Sequence, residues 1–324
     1  MKAKRLLVLD AVNQFIRAYI VDPSLSSNGQ PIGGLKGFLK ITNRLVREIK
    51  PDKIVVCWDG AGGSQKRKST NKGYKEGRKP IRLNRTIRNL SENEEIANKI
   101  WQQTRLFEYL NEMPMIQFVS DHVEADDIIS YVVNHPEHRG WQKVIVSSDK
   151  DFIQLLDDET ILYRPIQKEM LNKTRVVEKF GIHPSNFALA RAIAGDTSDN
   201  LPGVGRVGIP TVAKRLPFLA EEKDYSIDEV IEYCEGVEKK VGAHTNIIEG
   251  ESLIRENYKL MQLYAPSISI QQKQNINSVL GSFVPMLNKT QVRKMMIEDG
   301  IGEISLNDLF QNFKRNISDF NAKA

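Results

Sequence analysis

The sequence predicts an α/β fold built on a parallel sheet. Short strand-type runs alternate with segments of helical period, three of those runs end in an acid, and no apolar run exceeds about five residues. Alternation of this kind brings strands together in parallel, with helices as the crossovers. The 324 residues are 40% hydrophobic and 27% charged, a globular composition that excludes a disordered chain, collagen and a disulfide mini-scaffold. The apolar runs are too short to span a bilayer or to serve as a signal peptide.

Taken in order, Lys4–Asp10 reads as a buried strand and 35–49 as a helix, with Leu35, Phe38, Leu39, Ile41, Leu45, Val46 and Ile49 near helical period. Lys53–Asp59 is a second strand. The stretch 60–90 has five glycines and little apolar periodicity, and reads as a mobile loop or a helix that orders on a ligand. Helix 94–112 follows, with Ile96, Ile100, Phe107 and Leu110 on its expected inner face. Then come strand Met115–Val119, helix Glu124–Val133, strand Val144–Ser147 and a short helix Phe152–Leu156. Beyond about 175, short helices with Gly and Pro breaks take over, giving an expected division into 1–185 and 186–324. Near the end, Leu306, Leu309, Phe310 and Phe313 fit an amphipathic helix packed on the core, in preference to a sliding-clamp docking peptide.

Charge is unevenly spread. Residues 64–88 hold ten basic side chains, among them Lys66, Arg67, Lys68, Lys72, Lys75, Arg78, Lys79, Arg82, Arg85 and Arg88, against the single acid Glu76. Residues 121–159 hold ten acids and three bases. A positive strip beside a negative cluster points to a polyanionic substrate and a metal centre. Cys57 and Cys234 have no metal-type spacing and fit reduced thiols in a cytoplasmic compartment.

The acids sit where a parallel sheet gathers ligands. LLVLD ends at Asp10, IVVCWD at Asp59 and VIVSSD at Asp149, with Asp151 close behind; the carboxyl ends of such strands converge near a topological switch point. VEADD adds Glu124, Asp126 and Asp127, and GDTSDN adds Asp196 and Asp199. Two like charges ~4 Å apart at an effective dielectric of ~20 repel by about 4 kcal/mol. Five or six converging carboxylates would therefore exceed the ~5–15 kcal/mol that holds a domain together. They protonate, stay apart, or hold divalent cations, and all-oxygen ligands favour Mg²⁺ or Mn²⁺. The plainer reading of each acid alone is a surface charge or a helix cap.

In order and spacing, LLVLDAVNQFIRAYI (6–20), VVCWDG (55–60), YKEGR (74–78), VEADDIIS (123–130), VSSDKDFIQLL (146–156) and GDTSDNLPGVGRVG (195–208) resemble the 5′-nuclease superfamily. That group comprises flap endonucleases, phage 5′-3′ exonucleases and the 5′-nuclease domain of bacterial DNA polymerase I. The resemblance implies a PIN-like parallel sheet flanked by helices, a basic arch at 60–95 and a helix–loop–helix (H3TH-like) DNA-binding region. It implies two Mg²⁺ ions, replaceable by Mn²⁺: Asp10, Asp59, Glu124, Asp126 and Asp149 at the first, with Asp127 in or next to its shell, and Asp151, Asp196 and Asp199 at the second. Lys75 and Arg78 would act on the scissile phosphate, Tyr74 would stack on a base, and Arg67, Lys72, Lys79 and Arg82 would follow a strand. Gly203, Gly205, Arg206, Gly208, Lys214 and Arg215 would grip duplex DNA. The family's loop also holds K⁺, but Arg206, Pro210 and Val212 depart from its pattern and weigh against that ion here.

The implied activity is a stand-alone 5′-3′ exonuclease or flap endonuclease of replication and repair, acting on DNA flaps, 5′ ends or RNA primers. A monomer is expected, in the cytoplasm (a host's if phage-encoded), with a sliding clamp or single-strand-binding protein as candidate partners and no membrane contact. Two alternatives stand beside it: a PIN-like ribonuclease on single-stranded RNA, and a non-catalytic branched-DNA-binding protein.

Overall fold

The structure, a computed structural model, describes residues 3–76, 82–83, 90–302, 304 and 306–321. Arg78, Lys79, Arg85 and Arg88 lie outside the described residues.

Six strands form one sheet: β1 (Arg5–Asp10), β2 (Lys53–Cys57), β3 (Ile116–Phe118), β4 (Gln142–Val146), β5 (Thr160–Arg164) and β6 (Glu169–Leu171). Their spatial order is β3-β2-β1-β4-β5-β6, parallel except for the β5–β6 hairpin. Strand alternation sorts side chains to two faces. Leu6, Val8, Val55, Cys57 and Ile145 enter one core cluster; Leu7, Leu9, Ile54, Val56, Val144 and Val146 enter the other. Both layers are apolar, which is why LLVL and IVVC read as continuous runs.

The second cluster is built from sequence-distant pieces. Helix Gly33–Ile49 buries Leu35, Phe38, Leu39, Leu45 and Val46 as its period requires. Helix Asn307–Asn321 packs against it, burying Leu309, Phe310 and Phe313 with Leu306 beside them. The apolar stripe near the C-terminus is thus core, and a clamp has no exposed stripe to grasp there. The first cluster joins the other sheet face to helices Phe187–Ala194 and Glu251–Met261. Both the sheet's faces are therefore covered by residues from either side of 185/186.

Helix Glu92–Asn111 corrects one expectation. Ile96 and Ile100 are 46% and 55% exposed, while Asn98 and Gln102 are buried. Gln102 accepts from Leu35 N–H at 3.0 Å, and both side-chain amides donate to the Pro31 carbonyl, at 3.0 and 2.8 Å. Satisfied polar groups thus occupy the inward face that hydrophobicity alone assigned to isoleucine. Helix Ala11–Val21 and strands β5 and β6 also went unseen in the sequence.

Candidate active site

The chain leaves β1 toward β2 and β3 on one side and returns through β4 and β5 on the other. β1 and β4 thus flank the switch point, where a crevice opens beyond the strand ends. A cleft of about 560 Å³ lies there, lined by Asp10, Asp59, Asp126, Asp149, Asp199 and Lys75.

Each acid is aimed by its element. Asp10 ends β1 and caps helix Ala11–Val21, its Oδ1 accepting from Asn13 N–H at 3.1 Å. Its Oδ2 accepts from Ser147 Oγ, just past β4, at 2.8 Å. Asp149 N–H donates to Ser147 Oγ at 3.1 Å, and Asp149 Oδ1 accepts from Asp151 N–H at 2.9 Å. Asp59 Oδ1 takes Ala125 N–H at 2.9 Å, binding the end of β2 to the start of helix Ala125–Val133. Glu124 stands at that helix's N-cap without a side-chain capping bond, so its carboxylate is spent elsewhere. A second group sits alongside: Asp151, Asp196 and Asp199 each present an oxygen within 4.8 Å of the others.

Crowding shows in the titration of these groups. Burial, then Asp59, pushes the Asp10 carboxyl up to about 7. Burial, then Asp149, raises Asp151 to about 7 and Asp126 well above the usual carboxylate range. Asp196 goes the other way: burial opposes ionisation, but hydrogen bonds from Ser198 and the nearby Arg191 hold it low. An all-oxygen set this crowded, with carboxyls pushed up by burial and by one another, fits hard divalent cations.

Among the described residues, three cations lean on the cluster. Arg67 bridges Glu124 and Asp127, the latter at 3.3 Å, and its Nε–H donates to the Leu260 carbonyl. Lys75 Nζ meets Glu124 Oε1 at 2.6 Å. Arg191 bridges Asp151, at 3.0 Å, and Asp196. Lys75 adopts the left-handed region (φ 57°), and its N–H donates to the Asp199 carbonyl at 2.9 Å. Asn200 donates to the Gly73 carbonyl at 2.9 Å. Tyr74 donates to Glu124 at 3.3 Å, and its ring packs with Leu201, Leu260 and Met261. Residues 65–76 dock on the acids and include the short helix Gln65–Thr70. Of the rest of the stretch expected as a mobile loop or ligand-ordered helix, 77–81 and 84–89 lie outside the described residues. Tyr74, expected to stack on a base, is buried, and Arg67, expected along a strand, is turned inward onto carboxylates. Arg82 forks onto Glu95 at 2.7 and 3.1 Å, whereas Lys72 is exposed.

Helix Phe187–Ala194, the loop through Gly195–Gly208 and helix Ile209–Arg215 form the expected helix–loop–helix. Gly203 packs backbone to backbone: an added Cβ would lie 2.1 Å from the Ala194 carbonyl oxygen. Gly205 leaves its side open, a Cβ on Gly208 would meet only Pro210 Cδ at 3.8 Å, Arg206 sits at φ 62°, and Lys214 is exposed with Arg215 half-buried.

Two features were missed in the sequence. One is Arg191, whose signal was an arginine inside an otherwise apolar helix just ahead of GDTSDN. The other is an aliphatic wall of the cleft, from Ile16, Ile20, Val21 and Ile166, with Arg17 beside it; its residues come from helix Ala11–Val21 and the β5–β6 turn.

Residues 5–181 match the sequence family described as 5′-3′ exonuclease, N-terminal resolvase-like domain. The 5′-3′ exonuclease of Buchnera aphidicola subsp. Schizaphis graminum is 33% identical over 213 residues, 65% of this chain and 69% of that protein. The 5′-3′ exonuclease of Aquifex aeolicus is 28% identical over 264 residues, 81% and 82% of the two chains. DNA polymerase I of Bacillus subtilis is 33% identical over 234 residues, 70% of this chain but 25% of the polymerase. In fold, the chain is similar to the bacteriophage T5 D15 flap endonuclease in a complex with DNA and metal ions, with a TM-score of 0.64 at 16% identity over 91% of this chain and 98% of that one. It is similar also to the T5 5′-exonuclease with bound zinc ions, with a TM-score of 0.65 at 17% identity over the same shares of the two chains.

Proposed function

The chain belongs to the 5′-3′ exonuclease family, and from that premise we propose a Mg²⁺-dependent, structure-specific 5′ nuclease that hydrolyses phosphodiesters of DNA flaps, 5′ ends or RNA primers. The observation that carries this reading is the gathering of five acids with Lys75 around one cleft at the β1/β4 switch point. The carboxylates of Asp10, Asp59, Glu124, Asp126 and Asp149 would hold one ion, with Asp127 beside it; Asp151, Asp196 and Asp199 would hold another. Such ions, Mn²⁺ included, lower the pKa of water and offset charge that builds on phosphate. Lys75, freed from Glu124 in the substrate complex, places its ammonium on the scissile phosphate, with Arg78 as its partner. Lys72, Lys79 and Arg82 follow the single strand. Gly203, Gly205 and Gly208, with Arg206, Lys214 and Arg215, take the phosphates of the duplex, Gly205 leaving its side open to them. No described helix is long and apolar enough to cross a membrane, and free Cys57 and Cys234 suit work in the cytoplasm.

The test is cleavage of a labelled 5′-flap duplex with and without Mg²⁺. Asp149→Asn and Asp151→Asn are each expected to slow it by about 10²-fold or more. Equal cutting by wild type and both variants would overturn the proposal, and preferential cutting of single-stranded RNA would replace it with the ribonuclease reading.

A further inference from the structure

We propose that Arg191 is a positioning residue of the Asp151–Asp196–Asp199 group: a built-in cation that assembles these acids before any ion arrives and keeps the ion they bind weakly held. The inference rests on the reading that this group takes a divalent cation.

The three acids arrive on separate frames. Asp151 begins the short helical turn after β4. Asp196 and Asp199 lie in the loop after helix Phe187–Ala194, where Asp196 and Leu201 exchange backbone hydrogen bonds of 2.8 Å. Arg191 joins the frames. Its Nε–H donates to Asp151 Oδ1 at 3.1 Å, while its terminal nitrogen reaches both Asp151 and Asp196. A planar fork serves two carboxylates at once where a lysine ammonium could only lean between them. The side chain is 11% exposed, so this charge is poorly screened.

The division of oxygens gives the ion its place. Asp196 has both oxygens engaged, Oδ1 by Ser198 N–H at 2.8 Å and Ser198 Oγ at 2.7 Å, and Oδ2 by Arg191. Asp151 meets the fork through Oδ1. Its other oxygen is not taken by the fork, and Asp196 is the anchor. A positive charge fixed on the same acids repels any ion that enters, so Arg191 sets an upper limit on affinity while holding the geometry ready.

The experiment is calorimetric titration of the DNA-free protein with Mg²⁺, paired with thermal unfolding in EDTA, for wild type, Arg191→Gln and Arg191→Lys. Arg191→Gln is expected to bind the weaker of two ions about tenfold more tightly, to unfold at lower temperature in EDTA, and to recover with Mg²⁺. Arg191→Lys keeps the charge without the fork: its weaker ion binds within about threefold of wild type, yet its EDTA unfolding temperature still falls. This second variant decides the matter if Arg191→Gln fails to fold. Unchanged or weakened ion binding in Arg191→Gln, or an Arg191→Lys variant that unfolds as wild type does in EDTA, would overturn the proposal while leaving the nuclease reading intact. A wild type that binds no Mg²⁺ would overturn both.

Discussion

Without ions, the acid cluster should make this protein less stable as pH rises from 6 to 8. Asp10 and Asp151 titrate near 7 in the folded chain against an ordinary value of 3.8. The native state therefore holds protons between those values that the unfolded chain has already released, and stability falls as pH climbs through the window. For one group with a folded value of about 7, the loss between pH 6 and pH 8 is about 1.4 kcal/mol. Asp149 acts on both carboxyls, so the two losses overlap and their sum is about 1.5–3 kcal/mol. At roughly 2.1 cal/mol/K per residue, a 324-residue chain has an unfolding entropy near 0.7 kcal/mol/K, which converts this to a drop of about 2–4 °C. Scanning calorimetry in EDTA at pH 6, 7 and 8 measures it. Saturating Mg²⁺ should abolish or reverse the trend, because ions take over the role of the protons. A melting temperature in EDTA that stays level or rises over this range would refute the crowded-carboxylate account.

Lys75→Ala should cut single-turnover cleavage by about 10²-fold while changing flap affinity much less, as expected of a charge that acts on the transition state; equal losses in both would reassign it to backbone contact. Gly203→Ala forces a methyl against the Ala194 carbonyl and should weaken duplex binding and lower stability by about 2 kcal/mol or more, read by filter binding and denaturant melts. Phe313→Ala, at a fully buried position, should lose about 3–5 kcal/mol of stability, and a circular dichroism melt that matches wild type would contradict the core role. Flap affinity should fall steeply with salt, since many phosphates are neutralised; a flat plot of log K against log salt would argue against the basic contacts.

The sheet core was legible because a two-sided parallel strand writes itself as an unbroken apolar run, as LLVL and IVVC do. The acids were legible because strand ends in such a sheet share one edge. What escaped notice was set by partners rather than by period. Asn98 and Gln102 are inside because the Pro31 carbonyl needs donors, while Ile96 and Ile100 are left outside. Tyr74 and Arg67 carry the composition of a nucleic-acid strip, but Glu124 and Asp127 lie within their reach. Arg191 has no motif of its own; only the meeting of the β4 turn with the loop after helix Phe187–Ala194 gives it a role. Helix Ala11–Val21 hid inside a recognisable motif whose chemistry drew attention away from its conformation.

The seating of helix Asn307–Asn321 on helix Gly33–Ile49 also governs how the protein is made. Asn43 Oδ1 accepts from Leu309 N–H at 2.9 Å across 266 positions of sequence. During translation, the greasy flank formed by Leu35, Phe38 and Leu45 emerges long before Phe310 and Phe313, the residues that cover it. A nascent chain stalled before them exposes a sticky surface, so chaperone capture and premature termination are the hazards this topology accepts.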